Sequence, residues 1–154
     1  MFKMNERYDI DQSLKLFIVL SRAYRTINDK ANQSIQSFNL NPTEFAVLEL
    51  LYHKGEQPLQ QIGGKILLAS GSITYVVDKL EGKGLLERKA CESDRRVTFA
   101  HLTEKGKELL HEIFPQHEET IHALLGGLTT EEKEVAISLL KKVGYYAQDK
   151  KTDL

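Results

Sequence analysis

Residues 70–102 run SGSITYVVDKLEGKGLLERKACESDRRVTFAHL, and the period of their apolar positions changes once, at Gly82–Gly84. Before that point Ile73, Val76, Val77 and Leu80 fall at i, i+3, i+4 and i+7. This spacing predicts a helix with a narrow apolar stripe, capped by Ser70 and ended by Gly82 and Gly84. Beyond it, Leu85–Ala90 and Val97–Leu102 are short runs, in part β-branched or aromatic, on either side of Cys91-Glu92-Ser93-Asp94-Arg95-Arg96. They predict a hairpin with a charged, polar tip. A helix packed by one face and free on the other, followed at once by a small hairpin, is the end of a winged helix-turn-helix.

The flanks complete that unit. Asn41 predicts an N-cap, with Pro42 at the first helical position and Glu44 closing a capping box; Phe45, Leu48, Leu51 and Tyr52 then share a face up to Lys54-Gly55. Pro58 predicts the start of a short third helix carrying Leu59, Ile62 and Ile66. Upstream, Asp11 or Ser13 caps a long first helix, with Phe17, Leu20, Tyr24, Ile27, Ala31, Ile35 and Phe38 at steps of three and four. Downstream, Thr103 caps a helix through Leu109, Leu110, Ile113 and Phe114. Pro115 is expected to kink or interrupt it before it resumes through Ile121, Leu124 and Leu125. Thr129 and Glu132 form a second capping box for a last helix through Val135, Leu139, Val143 and Tyr146.

The predicted order is α-α-α-α-β-β-α-α. The fold class is mainly α with a small β-hairpin wing (α+β). Residues 1–154 form a single domain, with the winged helix-turn-helix at 41–102. The outer segments, 10–38 and 103–150, are longer and more apolar than that unit needs, and predict dimerisation helices.

A chain that is 41% hydrophobic and 28% charged has ordinary globular composition. No apolar stretch approaches membrane-spanning length, and residues 1–11 lack the features of a secretory signal; a soluble, cytoplasmic protein is expected. The single cysteine, Cys91, excludes an internal disulfide framework and an all-cysteine metal site. The net charge of −1 is unevenly spread. Residues 65–107 hold nine basic and six acidic side chains, whereas the rest hold 12 and 16. A basic middle in an acidic frame is a footprint for phosphate.

The free face of the fourth helix carries small and hydroxylated residues that allow close approach to a duplex. Ser70, Gly71, Ser72, Thr74 and Tyr75 are candidates for base or phosphate contact, and Lys79 for the backbone. The first-turn amides of Gly71, Ser72 and Ile73 suit a phosphate oxygen. At the hairpin tip, Arg95 and Arg96 suit the negative potential of a narrow minor groove, with Asp94 orienting one guanidinium. There is no phosphate-cradling glycine loop, metal motif or nucleophile–base set, so neither catalysis nor a cofactor is expected. The competing class is a winged-helix protein–protein interaction module without DNA binding. Such a module would show exposed apolar residues where this chain has Arg95-Arg96 and hydroxyls.

In five segments the chain resembles the MarR family of bacterial regulators: Asn41–Leu48, Gly71–Glu81, Gly84–Arg88, Ser93–Val97 and Leu102–Gly106. They keep the family's order and spacing over nearly the whole chain. The resemblance implies a homodimer that binds a palindromic operator in double-stranded DNA, with the fourth helix in the major groove and the wing in the minor groove. It implies repression relieved by a small aromatic effector or by cysteine oxidation. Leu14–Arg25 and Leu67–Glu81 look closest to a subgroup responsive to quinones and hydroquinones. Phe17, Tyr24, Phe45 and Tyr52 are the candidate effector-binding residues. Cys91, beside the basic residues of the wing, is a candidate redox sensor, but an ordinary thiol next to a turn is the stronger reading. His111, His117 and His122 are too loosely spaced to predict a metal site.

Overall fold

The computed structural model describes residues 2–66 and 72–148. The elements are α1 (Phe2–Gln36), α2 (Pro42–Lys54), β1 (Gln57–Pro58), α3 (Leu59–Lys65), α4 (Ile73–Gly82), β2 (Leu86–Ala90), β3 (Thr98–Leu102), α5 (Glu104–Leu124) and α6 (Thr130–Ala147). They fall into two compact units, residues 1–120 and 121–154.

In the first unit α2, α3 and α4 enclose an apolar core with the sheet. Val47, Leu48, Ile62, Val77, Leu80, Leu86, Ala100 and Leu110 are completely buried. The stripe of α4 behaves as its spacing requires: Val76, Val77 and Leu80 are buried and Ile73 half-buried, while Thr74, Tyr75, Asp78 and Lys79 face solvent. α2 opens with the full capping box. The Asn41 side chain accepts from the Glu44 amide at 2.8 Å, and the Glu44 carboxylate accepts from the Asn41 amide at 3.1 Å. β2 and β3 pair antiparallel from Leu86↔Leu102 to Ala90↔Thr98. Leu86, Ala100 and Leu102 therefore turn to the core, whereas Glu87, Lys89 and His101 do not.

Four expectations are corrected. α1 begins at Phe2 rather than at Asp11 or Ser13. Residues 2–10 contain neither Gly nor Pro, Arg7 and Asp11 form an i,i+4 ion pair, and the Ser13 hydroxyl donates back to the Asp9 carbonyl instead of capping. Pro58 caps the third helix, as expected, but the sheet has three strands rather than the two of a hairpin. Gln57–Pro58 first form an edge strand on β3, in register Gln57↔Ala100 and Pro58↔Phe99, at a position where a missing N–H is tolerated. The cap of α4 is Ser72, whose hydroxyl accepts from the Tyr75 amide, while Ser70 lies outside the described residues. Pro115 does not interrupt α5, which is one helix of 21 residues. Buried Leu110 and Ile113, and Phe114 packed on His53, hold the turn preceding the proline.

The start of α5 is clamped to the turn between α4 and β2. The Thr103 amide donates to the Leu85 carbonyl (3.1 Å), and the Thr103 hydroxyl donates to the Gly84 carbonyl (2.6 Å) while accepting from the Gly106 amide (3.1 Å). Gly84 takes a positive φ of 73° to make that turn. Gly106 is pressed against it: a Cβ there would stand 2.1 Å from the Leu85 carbonyl oxygen.

Along α1, Leu14, Phe17, Ile18 and Tyr24 are exposed, and the helix joins the core only near its end, where Ile35 is buried. In the second unit, α6 opens with the Thr129/Glu132 capping box and contains no buried residue; Val135, Leu139, Val143 and Tyr146 are exposed. Among the described residues no helix is long and apolar enough to cross a membrane.

Candidate nucleic-acid interface

The face of α4 opposite its buried stripe presents Ser72, Thr74 and Tyr75, and Tyr75 is 68% exposed. Ser70 and Gly71 lie outside the described residues. The helix is held from both sides by ion pairs of opposite sense. On one side Glu44, whose side chain is 2% exposed, accepts a hydrogen bond from the Lys83 ammonium at 2.7 Å and lies 3.6 Å from that of Lys79. Burial raises the Glu44 pKa, but Lys83, the Asn41 amide and Lys79 together bring it below its ordinary value. On the other side Arg88 of β2 donates to Asp78 and, at 2.7 Å, to Glu81. Asp78 above all raises the guanidinium's pKa. The wing and the helix are thereby joined through one arginine.

The wing tip is built by Asp94. Its carboxylate accepts from the Arg96 amide (3.0 Å) and from Nε of the same guanidinium (3.2 Å), with Nη2 at 3.5 Å from the second oxygen. The amide of Arg96, then its side chain, lower the Asp94 pKa. The Val97 amide closes the turn onto the Asp94 carbonyl, and Gln60 of α3 donates to the Arg96 carbonyl. Arg95 has no hydrogen bond or ion pair among the described residues. The two adjacent arginines thus differ: Arg96 is tethered and Arg95 is free.

Charge counting alone misses how much of the basic segment is already committed. Lys79 and Lys83 serve Glu44, Arg88 serves Asp78 and Glu81, Arg96 serves Asp94, and Lys107 pairs with Glu104. Glu44 and Arg88 escaped the site prediction because their partners lie 35 or more and seven or more positions away. Sequence periodicity carries no signal for pairs between elements.

The proposed effector-binding residues do not gather in one place. Phe17 and Tyr24 are exposed on α1, Phe45 is buried and stacks on His117 (4.6 Å), and Tyr52 is half-buried near Phe114. Tyr52 alone among them lines a cleft of about 590 Å³ between the end of α2, the β2–β3 sheet and the start of α5, with Lys89, His101 and His111. Burial lowers the pKa of His117, whose Nδ1 is buried without a hydrogen bond. The Ser93 hydroxyl, 3.2 Å from Sγ, and the Asp94 and Ser93 amides lower the Cys91 pKa, while Asp94's charge opposes them; the neighbouring cations are not the cause. Among the described residues no three His, Cys, Asp or Glu side chains are grouped to hold a metal ion.

The MarR family model matches residues 40–98, the segment that holds α2 to the wing tip. Over 138 residues the chain is 66% identical to the HTH-type transcriptional regulator MhqR of Bacillus subtilis (strain 168), covering 90% of this chain and 95% of that one. The chain belongs to the MarR family. It is a DNA-binding regulator of transcription and not an enzyme. The MarR fold is also seen in Sco3205 of Streptomyces coelicolor, solved in complex with DNA (TM-score 0.79, 19% identity, 88% of this chain and 91% of that chain). A further neighbour is BpsR of Bordetella bronchiseptica, whose DNA binding is regulated by 6-hydroxynicotinic acid (TM-score 0.73, 26% identity, 84% of this chain and 98% of that chain).

Proposed function

We propose that this MarR-family regulator acts in the cytoplasm as a homodimeric repressor, binding a palindromic operator and leaving it when a small aromatic, quinone-like effector binds. The observation that carries the reading is the juxtaposition of α4 and the wing. The hydroxyl-bearing start of α4 projects from a buried stripe, and the same unit carries a wing whose Arg95 has no partner among the described residues. Ser72, Thr74 and Tyr75 are suited to base edges and phosphates in the major groove, with Ser70 and Gly71 preceding them in sequence. Arg95, with Arg96 held by Asp94, suits the minor groove.

Two apolar surfaces support the dimer: Leu14, Phe17, Ile18 and Tyr24 on α1, and Val135, Leu139 and Val143 on α6. Patches of this kind favour burial against a second copy. The effector class rests on the likeness to the quinone-responsive subgroup and on a relative regulated by a hydroxylated aromatic acid. Of the four candidate effector contacts, Phe17 and Tyr24 lie on α1 and Phe45 and Tyr52 on α2, so they are proposed as contacts at two places, with Tyr52 in the cleft.

The test is a fluorescence-anisotropy titration against the protein's own promoter across a salt series, beside the Arg95→Ala, Arg96→Ala double variant. Tight binding that weakens steeply with salt and collapses in the variant is expected. Addition of a hydroquinone should then release the wild-type protein. Equal, weak binding of both proteins to promoter, random duplex and a selected DNA library would overturn the reading in favour of a protein-binding module.

A further inference from the structure

Glu44 is a buried carboxylate in a helix start that does not need its charge. The capping box asks only that the third side chain accept a hydrogen bond from the Asn41 amide, and glutamine does this as well as glutamate. The charge acts elsewhere. Both carboxylate oxygens meet ammonium groups at the C-terminal end of α4: Oε2 accepts at 2.7 Å from Lys83, the residue that ends the helix, and Oε1 lies 3.6 Å from Lys79 within it. The cap fixes the carboxylate, so it cannot follow the lysines outward, and its burial strengthens its pull on them. The lysines themselves are 45% and 37% exposed, on the flank of the helix whose outer face carries Thr74 and Tyr75. They have room to swing toward solvent and are held from doing so by Glu44.

Phosphate contacts add affinity without sequence information, each through release of a condensed counterion. A regulator that offered two free lysines per protomer at the end of its recognition helix would bind any duplex more tightly. We infer that Glu44 is a specificity-determining residue of this regulator: it withholds Lys79 and Lys83 from the DNA backbone and thereby suppresses binding to random sequence. This rests on the proposal that α4 lies against duplex DNA. Lys79, a backbone contact by the sequence reading, is accordingly held off the backbone by Glu44.

The experiment compares full-length wild type with Glu44→Gln on operator and on random-sequence duplex over a salt series, with folding checked by circular dichroism and urea titration. The expected result is tighter random-duplex binding by Glu44→Gln. Its salt dependence, log Kd against log salt, should be steeper by about 0.9 for each lysine released, with a smaller operator-to-random ratio. A purely structural role would not steepen that slope; an unchanged or shallower slope in a folded variant overturns the inference.

The Lys79→Gln, Lys83→Gln double variant in the wild-type background is independent of how well Glu44→Gln folds. It should leave the random-duplex slope unchanged, whereas a slope shallower by about 0.9 per lysine shows that both already contact phosphate and overturns the inference. Where wild type binds operator normally and these variants contradict the expectation, only the role of Glu44 fails. Where wild type binds no duplex at all, the placement of α4 on DNA fails with it.

Discussion

Replacing Gly106 by alanine discriminates between local and tertiary control of this fold. Gly106 lies in the first turn of α5, where intrinsic propensity favours alanine by about 1 kcal/mol. The geometry argues the other way. A Cβ at this position would lie 2.1 Å from the Leu85 carbonyl oxygen, 3.1 Å from its carbon and 3.3 Å from Cδ2 of Leu102. An ordinary carbon–oxygen contact requires roughly 1 Å more, and the obstacle is backbone, which cannot rotate away. Moving α5 off the turn also disturbs the Thr103 amide bond to the same Leu85 carbonyl and the hydroxyl bond to Gly84. Overpacking costs about 1–3 kcal/mol, and a clash with fixed backbone takes the upper end of that range, about 3 kcal/mol. The expected net effect is therefore destabilisation by about 2 kcal/mol, or a Tm lower by roughly 4–8 °C at equal protein concentration. Urea denaturation should show a lower midpoint at unchanged slope. Gly64→Ala is the control: Gly64 is an exposed residue of α3 with open space at its Cβ, and the substitution should be neutral or stabilising. If Gly106→Ala is as stable as wild type, the close approach of α5 to Leu85 is wrong.

Arg95→Ala should weaken operator binding more, and reduce its salt slope more, than Arg96→Ala. Arg96 is engaged by Asp94, so its loss acts mainly through the shape of the turn; equal effects in anisotropy titrations would refute the distinction. His117 has a folded-state pKa held below its ordinary 6.5 by burial, so the unfolded chain binds the proton more readily. Stability should accordingly fall as pH drops below about 6.5 and level off below the folded-state pKa, and His117→Phe should flatten that slope in urea titrations at stepped pH. On α1, Phe17→Glu combined with Leu14→Glu should convert the proposed dimer to monomer in sedimentation velocity without unfolding α2–α4, because neither side chain belongs to the buried core. A dimer of undiminished stability would place the interface elsewhere.

Signals local in sequence carried most of the fold. The stripe Ile73-Val76-Val77-Leu80, the capping boxes at Asn41 and Thr129, and the change of period after Gly84 each depend on residues within one turn or one strand, and each recurs in the structure. The misjudged features had a non-local or competing cause. β1 exists only because β3 offers Ala100 and Phe99 as partners to Gln57 and Pro58, and two residues carry no period of their own. α5 continues through Pro115 because neighbouring side chains pack into the core and onto α2. Ser13 looked like a cap, but a serine inside a helix makes an equally local bond to the carbonyl four residues back. For the site, the spacing identified the exposed face of α4 and the two arginines. The pairings Glu44–Lys83 and Arg88–Asp78 join different elements and are decided by packing.

Those pairings also change what the basic segment means. A surplus of cations between residues 65 and 107 suggests a surface spread with positive charge. Instead Glu44 draws Lys79 of α4 and Lys83 at its end toward α2, and Asp78 and Glu81 draw Arg88 of the wing toward α4. These charges orient the helix relative to its neighbours, and the guanidinium of Arg95, unpaired among the described residues, is left at the wing tip. The segments Gly84–Arg88 and Leu102–Gly106 are one joint in space, fastened by Thr103 and packed through Gly106. Gly106, packed against Leu85, therefore helps to set where the wing stands. Changes at Gly106 and at Arg88 should disturb operator binding through a common geometry, although one carries a charge and the other carries no side chain.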